Sequence, residues 1–109
     1  MLKYTHMKNQ TAYTNLLQAL LALKTTDEAR YFLIDLMTKK EIDEFSRRFQ
    51  AAQMLAEKIP YSIIVEETGL SSTTIARVSR FLQGKKSGYK TIIDRLHHHT
   101  TSQSRKGLS

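Results

Sequence analysis

Apolar residues recur along this chain at intervals of three and four, the spacing that lines one face of an α-helix. From about Gln10 to Lys24, Tyr13, Leu16, Leu17, Leu20, Leu21 and Leu23 predict a helix that is apolar around most of its girth. Such a helix must be covered on more than one side, either centrally in a fold or at a subunit interface. Thr25-Thr26-Asp27-Glu28 then reads as a capped helix start, with acidic residues where the dipole favours them. The next helix, about 27–37, directs Ala29, Phe32, Leu33 and Leu36 inward. Thr38-Lys39-Lys40-Glu41 forms a second capping box and opens a long helix to about Lys58. Its stripe is Ile42, Phe45, Phe49, Ala52, Leu55 and Ile59, and Pro60 ends it. A last helix, roughly 88–97, carries Tyr89, Ile92, Ile93 and Leu96. With one proline and four glycines in 109 residues, hairpins have little support and the fold class is all-α. The domain is expected over 10–97, between a flexible polar N-terminus at 1–9 and a disordered basic tail at 98–109.

The segment YSIIVEETGLSSTTIARVSRFL, residues 61–82, has the anatomy of a helix-turn-helix. Its β-branched opening resembles a strand, but Pro60 suits the start of a new helix. Ile64 and Val65 face Ile75 and Val78, Leu70 fills the turn, and Leu82 extends the inner face. Gly69 stands where the chain must reverse within about three residues, and a left-handed backbone there is cheap for glycine. Ser71 is a suitable N-cap for the second helix. Removing the inward residues leaves Ser72, Thr73, Ala76 and Arg80 outward, with Arg77 beside them. Small side chains at a helix N-terminus allow close approach to base edges, and arginine reaches guanine or phosphate. The free amides at Ser72 and Thr73 form a phosphate site in themselves.

Charge strengthens that reading through its distribution. The net charge is +7, from 17 Lys+Arg and 10 Asp+Glu. Residues 1–76 balance, so the whole excess falls in 77–109, where Asp94 is the sole acid. An excess held in one segment is the footprint of a polyanion binder. Lys85, Lys86 and Lys90 follow the second helix of the motif and are expected to contact phosphate. The chain lacks cysteine, so neither a disulfide framework nor a thiolate metal site is expected. No apolar run suits a bilayer or a secretory leader, and a cytoplasmic location is expected.

Enzyme chemistry finds no footing. There is no phosphate-cradling glycine loop, GxSxG or HExxH, and histidine occurs only at His6 and His97–His99. Successive histidines on a helix point about 100° apart and do not converge on one ion, so no metal site is expected. Protonated at mildly acidic pH, they would tighten contact with phosphate. Two other readings fit the same residues: a helical protein-interaction module, which Glu66 and Glu67 favour, and a nonspecific nucleic-acid binder.

The stretch LMTKKEIDEFSRRFQAAQMLAEKIPYSIIVEETGLSSTTIARVSRFLQG resembles the core of the Trp repressor family, and within it the YerC/YecD branch. The resemblance covers about 35–96 and is most specific at Leu36-Met37-Thr38, Arg48, ETG at 67–69 and TIARVSRFL at 74–82. It implies an intertwined homodimer whose N-terminal helices interlock, each chain presenting one helix-turn-helix. It further implies a repressor of a biosynthetic operon, on a pseudo-palindrome with half-sites about one DNA turn apart. In tryptophan-sensing members two arginines sandwich the corepressor's indole; Arg48 and Arg77 match them, and Thr38 and Thr74 match two pocket threonines. This sequence departs from the pattern at two places. Val78 stands where the family has a small glycine, and Phe81 where it has the serine that holds the ligand's amino group. Bulk and a lost polar anchor predict that tryptophan is not the effector, because a buried ammonium needs a partner. Either Phe81 fills the pocket and binding is constitutive, or the pocket takes a different amino-acid-like corepressor.

Overall fold

The computed structural model describes the backbone of residues 2–108 and the side chains of residues 10–98. The described residues form six helices: α1 (Leu2–Ala22), α2 (Thr26–Leu36), α3 (Lys39–Ala56), α4 (Tyr61–Thr68), α5 (Ser72–Leu82) and α6 (Gly88–Leu108). Among the described residues there is no strand. Both terminal helices outrun the bounds that apolar spacing suggests. Helical backbone starts at Leu2 in α1 and runs as far as Leu108 in α6.

The chain divides into two compact units, Met1–Lys39 and Lys40–Ser109. In the first, α2 is capped as expected. The Thr25 hydroxyl accepts from the Glu28 amide at 3.1 Å, and the Glu28 carboxylate accepts from the Lys24 amide at 2.9 Å. The Glu28 amide, unpaired at a helix start, is thereby satisfied, and the residue before the cap is tied to the first turn. No described side chain of α1 or α2 is buried. Ala29, Phe32 and Leu33 are half-buried, and Leu36, expected inside, is exposed.

The second unit carries the core. Ala51, Ile64 and Ile75 are fully buried in one cluster, with Met54, Leu55, Ile59, Val65 and Leu70 packed against it. Val78 and Ala52 are buried as well. Ala51 is thus the point at which α3 meets Ile64 of α4 and Ile75 of α5. The expected α3 stripe is therefore displaced: Ala51 joins the core from outside it, while Phe45, counted within it, is exposed.

The α3–α4 junction also differs from expectation. Helix α3 ends at Ala56 before Pro60 is reached. The Lys58 amide donates to Leu55 O at 2.9 Å and the Ile59 amide to Met54 O at 3.1 Å, with Lys58 at φ 62°. This is the Schellman closure, built with a lysine at the left-handed position that glycine usually fills. Pro60 is instead the N-cap of α4, its carbonyl accepting from the Ile63 and Ile64 amides.

Candidate nucleic-acid interface

Three local devices hold α4 and α5 in register. Gly69 caps α4 in the left-handed conformation, at φ 71°, and its amide donates to Val65 O at 2.9 Å. A β-carbon at Gly69 would come no nearer than 3.6 Å to the Arg47 guanidinium, so the constraint is backbone torsion rather than space. The buried Thr68 hydroxyl donates to Ile64 O at 2.6 Å and accepts from the Leu70 amide at 3.2 Å, tying helix end to turn. The Ser71 hydroxyl then accepts from the Thr74 amide at 3.1 Å and opens α5.

On α5 the inner face is Ile75, Val78 and Ser79, all buried, with Leu82 half-buried beyond them. Helical geometry turns Ser72, Thr73, Ala76, Arg77 and Arg80 to the opposite side, and all five are exposed. Lys85 and Lys86 are exposed in the α5–α6 loop, and Lys90 is exposed in the first turn of α6. Its helix is capped by the buried Ser87, whose hydroxyl accepts from the Lys90 amide at 3.1 Å. All nine residues expected to meet DNA, from Ser71 to Lys90, are exposed.

The arginines divide into two groups. Arg30, Arg47 and Arg48 lie 2.6, 3.0 and 2.9 Å from Asp27, Asp43 and Glu44, respectively. Among the described residues, Arg77, Arg80 and Arg95 have no carboxylate partner. The arginines of α2 and α3 are thus paired within the chain, whereas Arg77 and Arg80 of α5 and Arg95 of α6 are not.

The expected effector residues are only partly brought together. Arg48, Arg77 and Phe81 line a cleft of about 560 Å³ with Phe49, Lys86, Ser87, Gly88, Tyr89 and Ile92. Phe81 is 51% exposed and forms a wall of this cleft. The Arg77 guanidinium lies 5.0 Å from its ring centroid. Arg48 lies over the Phe45 ring at 5.4 Å, and its Nε is a buried donor without a hydrogen-bond partner. Val78 belongs to the core and Thr74 to the α5 cap, so neither lines the cleft; Thr38 lies in the first unit. The aromatic floor, Phe49 and Tyr89 with ring centroids 6.5 Å apart, is not legible in the sequence. Each residue reads there only as an apolar position on its own helix, and spacing cannot say which helices meet.

A second cleft, of about 440 Å³, is lined by Gln53, Ala56, Glu57, Ile93, Asp94, Leu96, His97 and His98. Among the described residues no three His, Asp or Glu side chains gather as a metal ion requires. The His99 side chain lies outside the described residues. No helix among them is long and apolar enough to cross a membrane.

Comparison with known proteins bears on this geometry. The sequence model of the family described as Trp repressor protein matches residues 11–97. YerC of Bacillus subtilis is 37% identical over 91 residues, covering 84% of this chain and 88% of YerC. The structure of a TrpR-like protein from Eubacterium eligens superposes with a TM-score of 0.75 at 44% identity, over 80% of this chain and 90% of that one. A Trp repressor candidate from Staphylococcus aureus superposes with a TM-score of 0.74 at 38% identity, over 80% and 87% of the two chains.

Proposed function

The chain belongs to the Trp repressor family of all-helical DNA-binding regulators, and on that premise we propose that it represses an amino-acid biosynthesis operon from a pseudo-palindromic operator. The observation that carries the proposal is the outward face of α5, where Arg77 and Arg80 stand exposed without carboxylate partners. Small Ser72, Thr73 and Ala76 beside them let the helix enter a major groove. Ser71 orients the helix start, and Lys85, Lys86 and Lys90 extend the contact along phosphate. Such a regulator works in the cytoplasm.

The active form is a homodimer. Tyr13, Leu17, Leu20 and Leu21 of α1 and Tyr31, Ile34 and Leu36 of α2 are all exposed in a single chain. That much apolar surface on a small domain calls for cover, and a second copy supplies it with two-fold symmetry. Two recognition helices then face half-sites about one DNA turn apart. The Arg48–Arg77 cleft is the place for an amino-acid-like effector. With Phe81 as a wall where an amino-group anchor would be needed, tryptophan is not that effector.

The decisive experiment selects binding sites from a random duplex pool at near-physiological salt, with and without a mixture of amino acids. A palindrome is expected, and its dependence on the mixture reports whether the cleft takes an effector. No enrichment under either condition overturns the proposal. Replacing Arg80 by Ala is expected to cost about 1–3 kcal/mol and relax preference at one base position. An unchanged preference removes Arg80 from base contact. A second reading, docking of a basic protein partner, draws on the acidic rim of Asp43, Glu66 and Glu67 around a third cleft. Salt separates the two: if Lys85 and Lys86 bind phosphate, replacing either by Ala should flatten the log–log salt slope by about one.

A further inference from the structure

Phe81 is a half-exposed aromatic on the helix proposed to read DNA. It stands four residues after Arg77, so the two side chains are neighbours on the surface of α5. The Arg77 guanidinium carbon lies 5.0 Å from the ring centroid, within the range of a cation–π contact. Among the described residues no carboxylate pairs with Arg77, and the Phe81 ring is the aromatic group beside its charge. Arg48 shows the contrast: it also lies over a ring, Phe45 at 5.4 Å, but Glu44 holds its other end at 2.9 Å. A ring attracts the cation without neutralising it, whereas a carboxylate takes up both its charge and its donors. Held by Phe81, Arg77 keeps every N–H available to an incoming phosphate or base.

We propose that Phe81 is a positioning residue for DNA binding: its ring holds the Arg77 guanidinium in place before DNA arrives, without an effector. The role rests on the reading of α5 as the DNA-contacting helix. An arginine on an exposed helix face loses rotamer freedom when it clamps a ligand, and prior stacking removes part of that cost. It also links affinity to the cleft, because Arg77 and Phe81 together form part of its wall. A ligand entering the cleft must accommodate this stack or break it. Effector occupancy then acts on DNA through the orientation of one guanidinium.

The experiment measures affinity for a duplex selected by the wild-type protein, using F81L, F81Y, R77A and the double variant R77A/F81L. F81L keeps apolar volume and removes the π face, and is expected to weaken binding about three- to tenfold. F81Y restores the ring and the affinity. On the R77A background the F81L change is expected to have no further effect, because a residue that acts through Arg77 has nothing left to position. An F81L protein that binds as tightly as wild type overturns the role, as does full additivity in the double variant. A wild-type protein that binds no duplex overturns the DNA reading itself. The Arg77 δ-proton resonances of the free wild-type protein provide a readout that needs neither DNA nor a substitution. Ring current should move them upfield, and their absence from that position overturns the stack.

Discussion

Gly69 and Lys58 both hold left-handed backbone, and they do so at different cost. Gly69, at φ 71°, has no β-carbon to clash with the following carbonyl. Lys58, at φ 62°, has one and bears a penalty of about 1–2 kcal/mol. Glycine at that position loses about 0.5–1 kcal/mol through a freer unfolded chain, so Lys58→Gly is expected to stabilise the protein by about 0.5–1 kcal/mol. Gly69→Ala should act in the opposite sense and cost about 1 kcal/mol, from torsion alone, since its surroundings have room. Urea titrations of the two variants check both signs. Gly69 is legible in the sequence, because glycine between two apolar helical segments has few other uses. Lys58 is not, because nothing in a lysine announces positive φ. Its conformation follows from the Ile59–Met54 hydrogen bond and from Ile59 packing on the core.

The helix starts are the most readable elements. Thr25 and Ser71 cap α2 and α5 as their positions suggest, because a cap needs only a hydroxyl and an amide three residues on. Ser71 permits a separation of stability from binding. Ser71→Ala should lose about 1 kcal/mol of stability through the uncapped Thr74 amide. Ser71→Asp should retain the cap yet weaken DNA binding, since a carboxylate now lies where phosphate would approach. Thermal unfolding and duplex titration of both variants check this, and equal affinity of Ser71→Asp and wild type would remove Ser71 from the interface. The long-helix stripe is only partly readable. Spacing picks out Phe45 and Ala52 alike, but Phe45 is exposed and it is Ala51 that packs with Ile64 of α4 and Ile75 of α5.

For the whole molecule, the division between a cored unit and an uncored one governs expectation. Residues 40–109 bury Ile64, Ile75 and Val78, whereas no described side chain of α1 or α2 is buried. A homodimer that covers those helices should sediment at twice the 12.6 kDa of one chain, and its midpoint of thermal unfolding should rise with concentration. Leu21, 79% exposed on α1, is the sharpest probe. Leu21→Glu should shift the sedimentation towards one chain and weaken operator binding, while α4 and α5 keep their fold. A wild-type protein that sediments as a single chain at micromolar concentration would end the dimer proposal.

Local order in the chain dictates the helices, their caps, the Gly69 turn and the division of α5 into inner and outer faces. Each of these rests on contacts between residues no more than about four apart, which neighbouring residue types suffice to specify. Only tertiary structure decides that Ala51 is core and Phe45 is not, that α3 ends on a left-handed lysine, and that a cleft joins Arg48, Phe49, Arg77 and Tyr89. These depend on which helices meet and at what depth. That choice is made by the packing of side chains far apart in the chain, where many pairings satisfy the same periodicity and close packing selects one.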